Sequence, residues 1–465
     1  MEHATEGPSL VLPEGGDILK VIRQSPDFLR LWIASAILMG GDWFVTVAVM
    51  TLSLQLTHSP RVASMVLLSN TVPTFLATPV SGPLADRLNR KRLMIACCLI
   101  SAVTALGFMF VTSADRVWIC YACTAVIVVM VACCLPAATA ALPCLVGPQN
   151  LVAANTLFGA TWGIMAAIGS ALGGWVASGL GRNAAFECDA VGLLISAAMI
   201  WSIRMRDFRS DTPHPLPPSD MDDMYEKAPE EEEGDVTFWG AINTLLHNPS
   251  LALVVLAKAF WGVGGGILLL LSVFPVQVYN LPDPDRGVGL MYSMRGVGTV
   301  LGPLLALMIV RNQTRSMPKA IWISLVMSGV FYIVFAQSPT LHLGAMSMLL
   351  ANLGAGAVWV VSTTMMQLTI PNHLMGRLSA IDLGAFTLTM AVSQYFSGRY
   401  AEHANPREVG VVCGIACIAT GFLWAILWAF CRRKRPIQMP HATLAEAKAQ
   451  ARRHEGASNV AQHPV

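Results

Sequence analysis

The sequence predicts an all-α membrane protein with twelve transmembrane helices in two pseudo-symmetric six-helix bundles. Three observations predict it. Hydrophobic residues make up 54% of the 465-residue chain and charged residues 12%, where soluble domains carry about 25% charged residues. Twelve apolar stretches reach bilayer-spanning length, which takes about 20 residues. The halves also repeat: Pro148-Gln149-Asn150-Leu151 matches Pro371-Asn372-His373-Leu374 at an offset of 223, Phe28 and Leu251 share that offset, and Gly82-Pro83-Leu84 recurs as Gly302-Pro303-Leu304 at an offset of 220. A duplicated six-helix unit explains all three matches.

The stretches fall near 30–57, 61–85, 91–113, 116–143, 150–179, 184–204, 250–279, 286–311, 318–338, 341–369, 375–402 and 408–431. Connections as short as His58-Ser59-Pro60 and Ser113-Ala114-Asp115 force antiparallel neighbours. Residues 1–29 read as an N-terminal tail, unstructured to about residue 16 and then a short amphipathic surface helix over 17–24. Residues 30–205 and 250–432 are the two bundles, and 433–465 is a C-terminal tail. Between the bundles, 206–249 is a linker whose core, 211–235, is acidic and Pro-rich with almost nothing to bury. Its run of glutamates at 230–233 fits simple solvation, with regulatory docking as the alternative.

Basic residues orient the bundle. One set of loops holds Arg87, Arg90, Lys91 and Arg92, then Arg204, Arg206 and Arg209, then Arg311, Arg315 and Lys319, then Arg377, then 432–435; the opposite set holds scarcely more than one each, Arg61, Arg116, Arg182, Arg286 and Arg407. By the positive-inside rule the first set is cytoplasmic, with both termini, and the expected location is the cell membrane. Glu2, Glu6, Glu14 and Asp17, with no apolar stretch ending in a small-residue cleavage site, argue against a secretory signal in the first 30 residues, and Asn312-Gln313-Thr314, a glycosylation sequon, is expected on the cytoplasmic side. The formal net charge of +2 says nothing about partners, and such a composition excludes a nucleic-acid-binding domain. Most of the eleven cysteines lie inside apolar runs and read as small packing residues; Cys120-x-x-Cys123 has no second pair at zinc-ligand spacing, so neither a metal nor a cofactor is expected.

The most specific motif lies at 81–94, SGPLADRLNRKRLM, a knot of charge between two apolar runs. Its order of Gly82, Asp86, Arg87, Arg90 and Lys91 resembles the signature loop between helices 2 and 3 of the major facilitator superfamily of transporters. Asn89 stands where that family has Gly; Asn tolerates positive φ next best, so a left-handed turn is expected there. Ser25-Pro26-Asp27-Phe28, Leu31-Trp32, Gly41-Asp42-Trp43 and Leu56-Thr57-x-Ser59-Pro60 are similar to the first helix of its macrolide-efflux and siderophore-exporter branch. The resemblance covers 24–435. It implies alternating access by rocking of two bundles, with Asp86 holding a cytoplasmic gate against the start of helix 11 near Gly376-Arg377. Arg87, Arg90 and Lys91 have a simpler reading as anchors at the lipid head groups. Gly169, Gly173 and Gly174 in helix 5 come near the Gly-rich antiporter motif of family exporters, although Ser170 stands where that motif has Pro; close helix packing explains them equally well.

Ionisable side chains within a span cost at least about 2.5–3.5 kcal/mol each and so call for a partner, water or a function. Asp42 lies about 12 residues into helix 1, roughly 18 Å from its inner end at 1.5 Å per residue. It is the candidate for proton coupling, with a purely structural pairing as the alternative. Arg295 in helix 8 is a candidate anion site or a counter-ion to Asp42 or Asp382, the latter favoured. Lys258 and Asp382 lie about 10 Å from the inner face, where both are expected to snorkel. Glu187 and Asp189 near the start of helix 6 read as structural. Trp43, Trp162, Trp261 and Trp359 either stack on an aromatic ligand or fill the bundle. The ten histidines are scattered over tails and loops, against a membrane-embedded transferase. The expected protein is therefore a monomeric secondary transporter with a small-molecule substrate, protons and membrane lipids as partners. Export of amphipathic or hydrophobic molecules is the first reading, and a facilitator or importer of a small polar or anionic metabolite the second.

Overall fold

The computed structural model describes residues 22–23, 25–146, 150–204, 238–310, 316–370 and 372–434. The tails, most of the linker, Arg311 and Arg315, and the sequon at Asn312 lie outside the described residues. What is described is almost entirely helical: α1 (Pro26–Thr57), α2 (Pro60–Arg87), α3 (Arg90–Gly107), α4 (Trp118–Leu145), α5 (Leu151–Gly179), α6 (Arg182–Ser202), then α7 (Phe238–His247), α8 (Pro249–Val255), α9 (Ala257–Gly262), α10 (Ile267–Val273), α11 (Pro284–Val310), α12 (Met317–Gln337), α13 (Leu341–Thr369), α14 (Asn372–Tyr400) and α15 (Pro406–Lys434). Together α8, α9 and α10 make the seventh crossing, so the chain passes through twelve times. Pro26 and Pro249 open the first and seventh crossings at the same register, 223 positions apart (249 − 26).

Eleven of the crossings are apolar enough to be recognised as membrane spans by composition. The twelfth, α14, is 29 residues long but carries Arg377, Asp382, Gln394 and Arg399. Asp382 and Gln394 are buried where α14 packs on α2 and on the seventh crossing, while Arg377 and Arg399 lie near its two ends.

The two halves join along two seams, α5 on α11 and α2 on α14. Glycines set the first seam: a side chain on Gly289 would meet Gly174 Cα at 2.9 Å, and one on Gly296 would meet Ala167 Cα at 2.8 Å. The face holding the start of α1 and the end of α15 is here the base, and the opposite face the crown. One hydrophobic core runs through the first half and continues across the crown into α10, α11 and α15. A second core is confined to the base of the second half. Apolar burial therefore ties the halves at the crown, while each base end keeps its own core.

Two local expectations change. The seventh crossing was expected as one helix over 250–279, but it breaks at the run Gly262–Gly266 and again at a π turn (Phe274–Val278). Glycine lowers helix propensity and Pro275 removes a backbone donor. Irregular backbone in a membrane needs internal partners. Here Trp424 Nε1 donates to Leu253 O at 2.9 Å, Thr420 Oγ1 to Phe260 O at 3.1 Å, Ser393 Oγ to Val263 O at 2.6 Å and the Tyr292 hydroxyl to Leu268 O at 3.1 Å, while Gly266 N–H donates to Ser393 Oγ at 2.9 Å. The linker, too, ends in structure, because its last part forms α7.

Candidate functional site

The site is built where α1, α5, α11 and the seventh crossing meet. On α1 four consecutive residues face four ways. Gly40 faces Met165 of α5, whose Sδ would lie 3.3 Å from an added Cβ. Gly41 leaves room for the carboxylate of Asp189, whose Oδ1 occupies the place a side chain would take. Asp42 is half-buried and within electrostatic reach of Asp189, which is 6% exposed. Trp43 points to the seam, with its ring 5.2 Å from the Arg295 guanidinium of α11, 5.6 Å from Trp162 of α5 and 6.2 Å from Tyr292.

Among the described residues neither Asp42 nor Asp189 has a hydrogen-bond or ion-pair partner for its carboxylate. Arg295, 5% exposed, is in the same position, with its Nε sealed and unbonded. A cation–π contact in a desolvated site contributes about 2 kcal/mol. That is less than the cost of an ion at a helix centre, so Trp43 alone does not offset the burial of Arg295.

Lys258 and Asp382 form a second centre within the second half. They are ion-paired, 4% and 5% exposed, with Lys258 Nζ 4.7 Å above the Trp359 ring. Phe386 stacks on Trp261 at 5.5 Å and meets Trp359 edge-on at 5.5 Å. Asp382 Oδ1 has no partner. Between Trp261, Gly265, Leu268, Tyr332 and Met390 lies a void of about 10 Å³, room for no more than one water.

Polar contacts bridge the halves at the crown. Asp285 at the start of α11 takes Arg182 through Nη2 at 2.8 Å and Nε at 3.2 Å, and accepts from Thr51 of α1. Arg182 also donates to Gln55 at 2.7 Å, and Ser178 bonds Asp283. On the other seam Arg61 lies 3.7 Å from Glu402, and Thr71 donates to Gln394 at 3.0 Å deeper in. Toward the base the Cβ positions of Gly82, Gly159 and Gly376 have no neighbour within 4 Å.

The profile of the Major Facilitator Superfamily matches residues 31–383. The chain belongs to this superfamily. Relatives agree at low identity. An uncharacterized MFS-type transporter of Bacillus subtilis, YfiS, is 23% identical over 87% of this chain and 94% of its own length. The putative bacilysin exporter BacE of the same organism is 22% identical over 84% and 92%, and the enterobactin exporter EntS of Citrobacter koseri 21% identical over 90% and 95%. The facilitator fold is shared with solved transporters. A peptide transporter POT matches with TM-score 0.68 at 13% identity over 88% of this chain and 95% of its own. A bacterial homolog of the human lysosomal transporter Spinster matches with TM-score 0.62 at 15% identity over 90% and 97%.

Within this facilitator fold several sequence expectations are corrected. Lys258 and Asp382 do not snorkel but bury and pair with each other. Arg295 is the counter-ion of neither Asp42 nor Asp382, since Asp382 is taken by Lys258. The signature motif is mostly helix: α2 runs to Arg87, and Asn89, at φ −63°, makes no left-handed turn but caps α3 by accepting from Arg92 N–H at 2.9 Å. Arg90 donates to Ala140 O at 2.9 Å and Lys91 to Ile203 O at 2.6 Å, the carbonyl ends of α4 and α6. Basic groups belong at such ends. The Asp86 side chain lies outside the described residues.

The helix 5 glycines make room for helices, with Gly169 against Gly40 and Gly173 against Phe44 of α1, and Gly174 against Asp285 and Gly289 of α11. Sequence reasoning missed Asp189, Arg182 and Asp285. The available signal for Asp189 was its depth, seven residues past the start of α6; in the fold it faces Gly41.

Proposed function

We propose that the protein is a proton-driven exporter of small amphipathic or hydrophobic molecules that works by alternating access. The observation that carries this reading is the pair Asp42 and Asp189, two carboxylates packed between α1 and α6 with no basic partner among the described residues. Two like charges confined together cannot both ionise without cost, so the site is suited to taking and releasing a proton. Relatives named as exporters support the direction. The contacts between the halves at the crown support a state closed at the crown.

Basic loops assign the base to the cytoplasm and both termini with it. The two bundles, 30–205 and 250–432, then rock about the central seam, and Asp86 closes the base by meeting the start of α14 near Gly376, where a helix N-terminus presents unpaired N–H groups. The second reading, a facilitator or importer of an anionic metabolite, is favoured by one observation, the unpaired Arg295.

Proteoliposomes decide between them. An imposed pH gradient is expected to drive efflux of an amphipathic dye in the wild type, and Asp42→Asn to abolish the gradient's effect while dye binding persists. Equal transport with and without the gradient removes the proton role of Asp42.

A further inference from the structure

Two basic side chains are buried in the described core, and they differ in one respect: Lys258 has Asp382, whereas the guanidinium of Arg295 has no hydrogen-bond or ion-pair partner. A guanidinium keeps its charge in proteins and carries five donors in a planar fork shaped for an oxyanion. Leaving a sealed donor and an unpaired charge in a membrane core is unfavourable unless a ligand uses them for part of the cycle.

Arg295 is also where a ligand would pass. Its chain neighbour Gly296 packs on Ala166 and Ala167 of the opposite half, so the side chain belongs to the seam that must part during transport. Across the seam it faces the ring of Trp43 at 5.2 Å, and Trp43 meets Trp162, which is 42% exposed. Two indoles thus lead from accessible surface to a sealed cation.

We propose that Arg295 binds the anionic group of the transported molecule, while a flat apolar body lies against Trp43 and Trp162. The substrate class is an aromatic organic acid, and this rests on the transporter reading above. A free inorganic anion would use Arg295 but not the indoles. A neutral aromatic would use the indoles and leave Arg295 unsatisfied.

The test is equilibrium binding to the purified full-length protein in detergent, with no gradient present, using matched probes: pyrenebutyrate and its neutral amide, and 2-naphthoate and its amide. The wild type is expected to bind each carboxylate about tenfold or more tighter than its amide, as a charge-assisted pair contributes. Arg295→Gln is expected to bring the two probes to within about twofold of each other, with a thermal melt reporting that the variant is folded. Arg295→Lys, which keeps charge but loses the fork, is expected to fall between. Inorganic phosphate is expected to compete weakly.

No preference for the carboxylate in the wild type, or a preference that survives Arg295→Gln, overturns the proposal. Should Arg295→Gln fail to fold, the wild-type carboxylate-to-amide ratio with Arg295→Lys decides alone. The two readings fail separately. Anion-selective binding lost in Arg295→Gln without gradient-driven efflux would sustain the anion site and remove export. Gradient-driven efflux of the amides without carboxylate preference would remove the anion site and leave export standing.

Discussion

At the scale of single residues, the energetics turn on which buried charges have company. Removing one member of the Lys258–Asp382 pair strands the other in the core, which costs about 3–5 kcal/mol. Asp382→Asn is therefore expected to lower the melting temperature of the purified protein markedly. The double variant Lys258→Met with Asp382→Leu is expected to recover most of the loss, because two apolar side chains need no partner. Failure of the double variant to recover would mean that the pair also organises Trp359 and Phe386.

The ionisable residues themselves were legible in the sequence, since Asp42, Lys258, Arg295 and Asp382 interrupt apolar runs away from their ends. Their pairings were not. Which face of a helix meets which neighbour depends on rotations and tilts fixed by packing along the whole bundle, so Asp382 was equally open to Arg295 or Lys258. Asp189 read as structural from its closeness to a helix start; its burial against α1 was not legible, because it depends on how α6 is turned toward Gly41.

At the scale of elements, glycine placement decides how closely helices approach. A side chain on Gly173 would sit 2.8 Å from Phe44 Cα, backbone that cannot yield cheaply, while one on Gly159 of the same helix meets nothing within 4 Å. Gly173→Ala is expected to lower thermal stability, and Gly159→Ala to raise it by up to about 1 kcal/mol through helix propensity. Thermal melts of the two variants side by side check both directions, and equal effects would show that α1 and α5 part easily.

Basic residues near helix ends repay attention at this scale. Arg90 and Lys91 at the base, and Arg407 at the crown through Ala336 O at 3.0 Å and Ser338 O at 2.9 Å, each finish the carbonyl end of a neighbouring helix. Their charge count fixed the topology in the sequence reading, but their bonds depend on which helix ends lie beside them, which no local pattern encodes. The break in the seventh crossing was partly legible, because five residues at 262–266 include four glycines (Gly262, Gly264, Gly265, Gly266). The apolar run around them outweighed that signal.

At the scale of the whole molecule, twelve crossings and a twofold repeat were legible because bilayer thickness and duplication both write themselves into long-range pattern. The conformational state was not, because it depends on a few contacts between halves. Arg182 and Asp285 are the strongest of these at the crown. Arg182→Gln is expected to increase labelling of a cysteine placed at Ser178 by a membrane-impermeant maleimide applied from the crown side, and Arg182→Asp with Asp285→Arg to restore protection. Unchanged labelling in the single variant would assign closure of the crown to apolar packing instead.

The rocking proposed above need not bend every helix. Ser393 both gives a hydrogen bond to Val263 and receives one from Gly266, bracketing the glycine run from α14. A single hydroxyl thus acts as a rivet through two neighbouring crossings, so that the most pliable backbone in the chain travels with its neighbour and cannot fold on its own axis. Whatever flexing those glycines allow is shared by the pair, and a methyl in place of that hydroxyl would let one crossing slacken while the other kept its course.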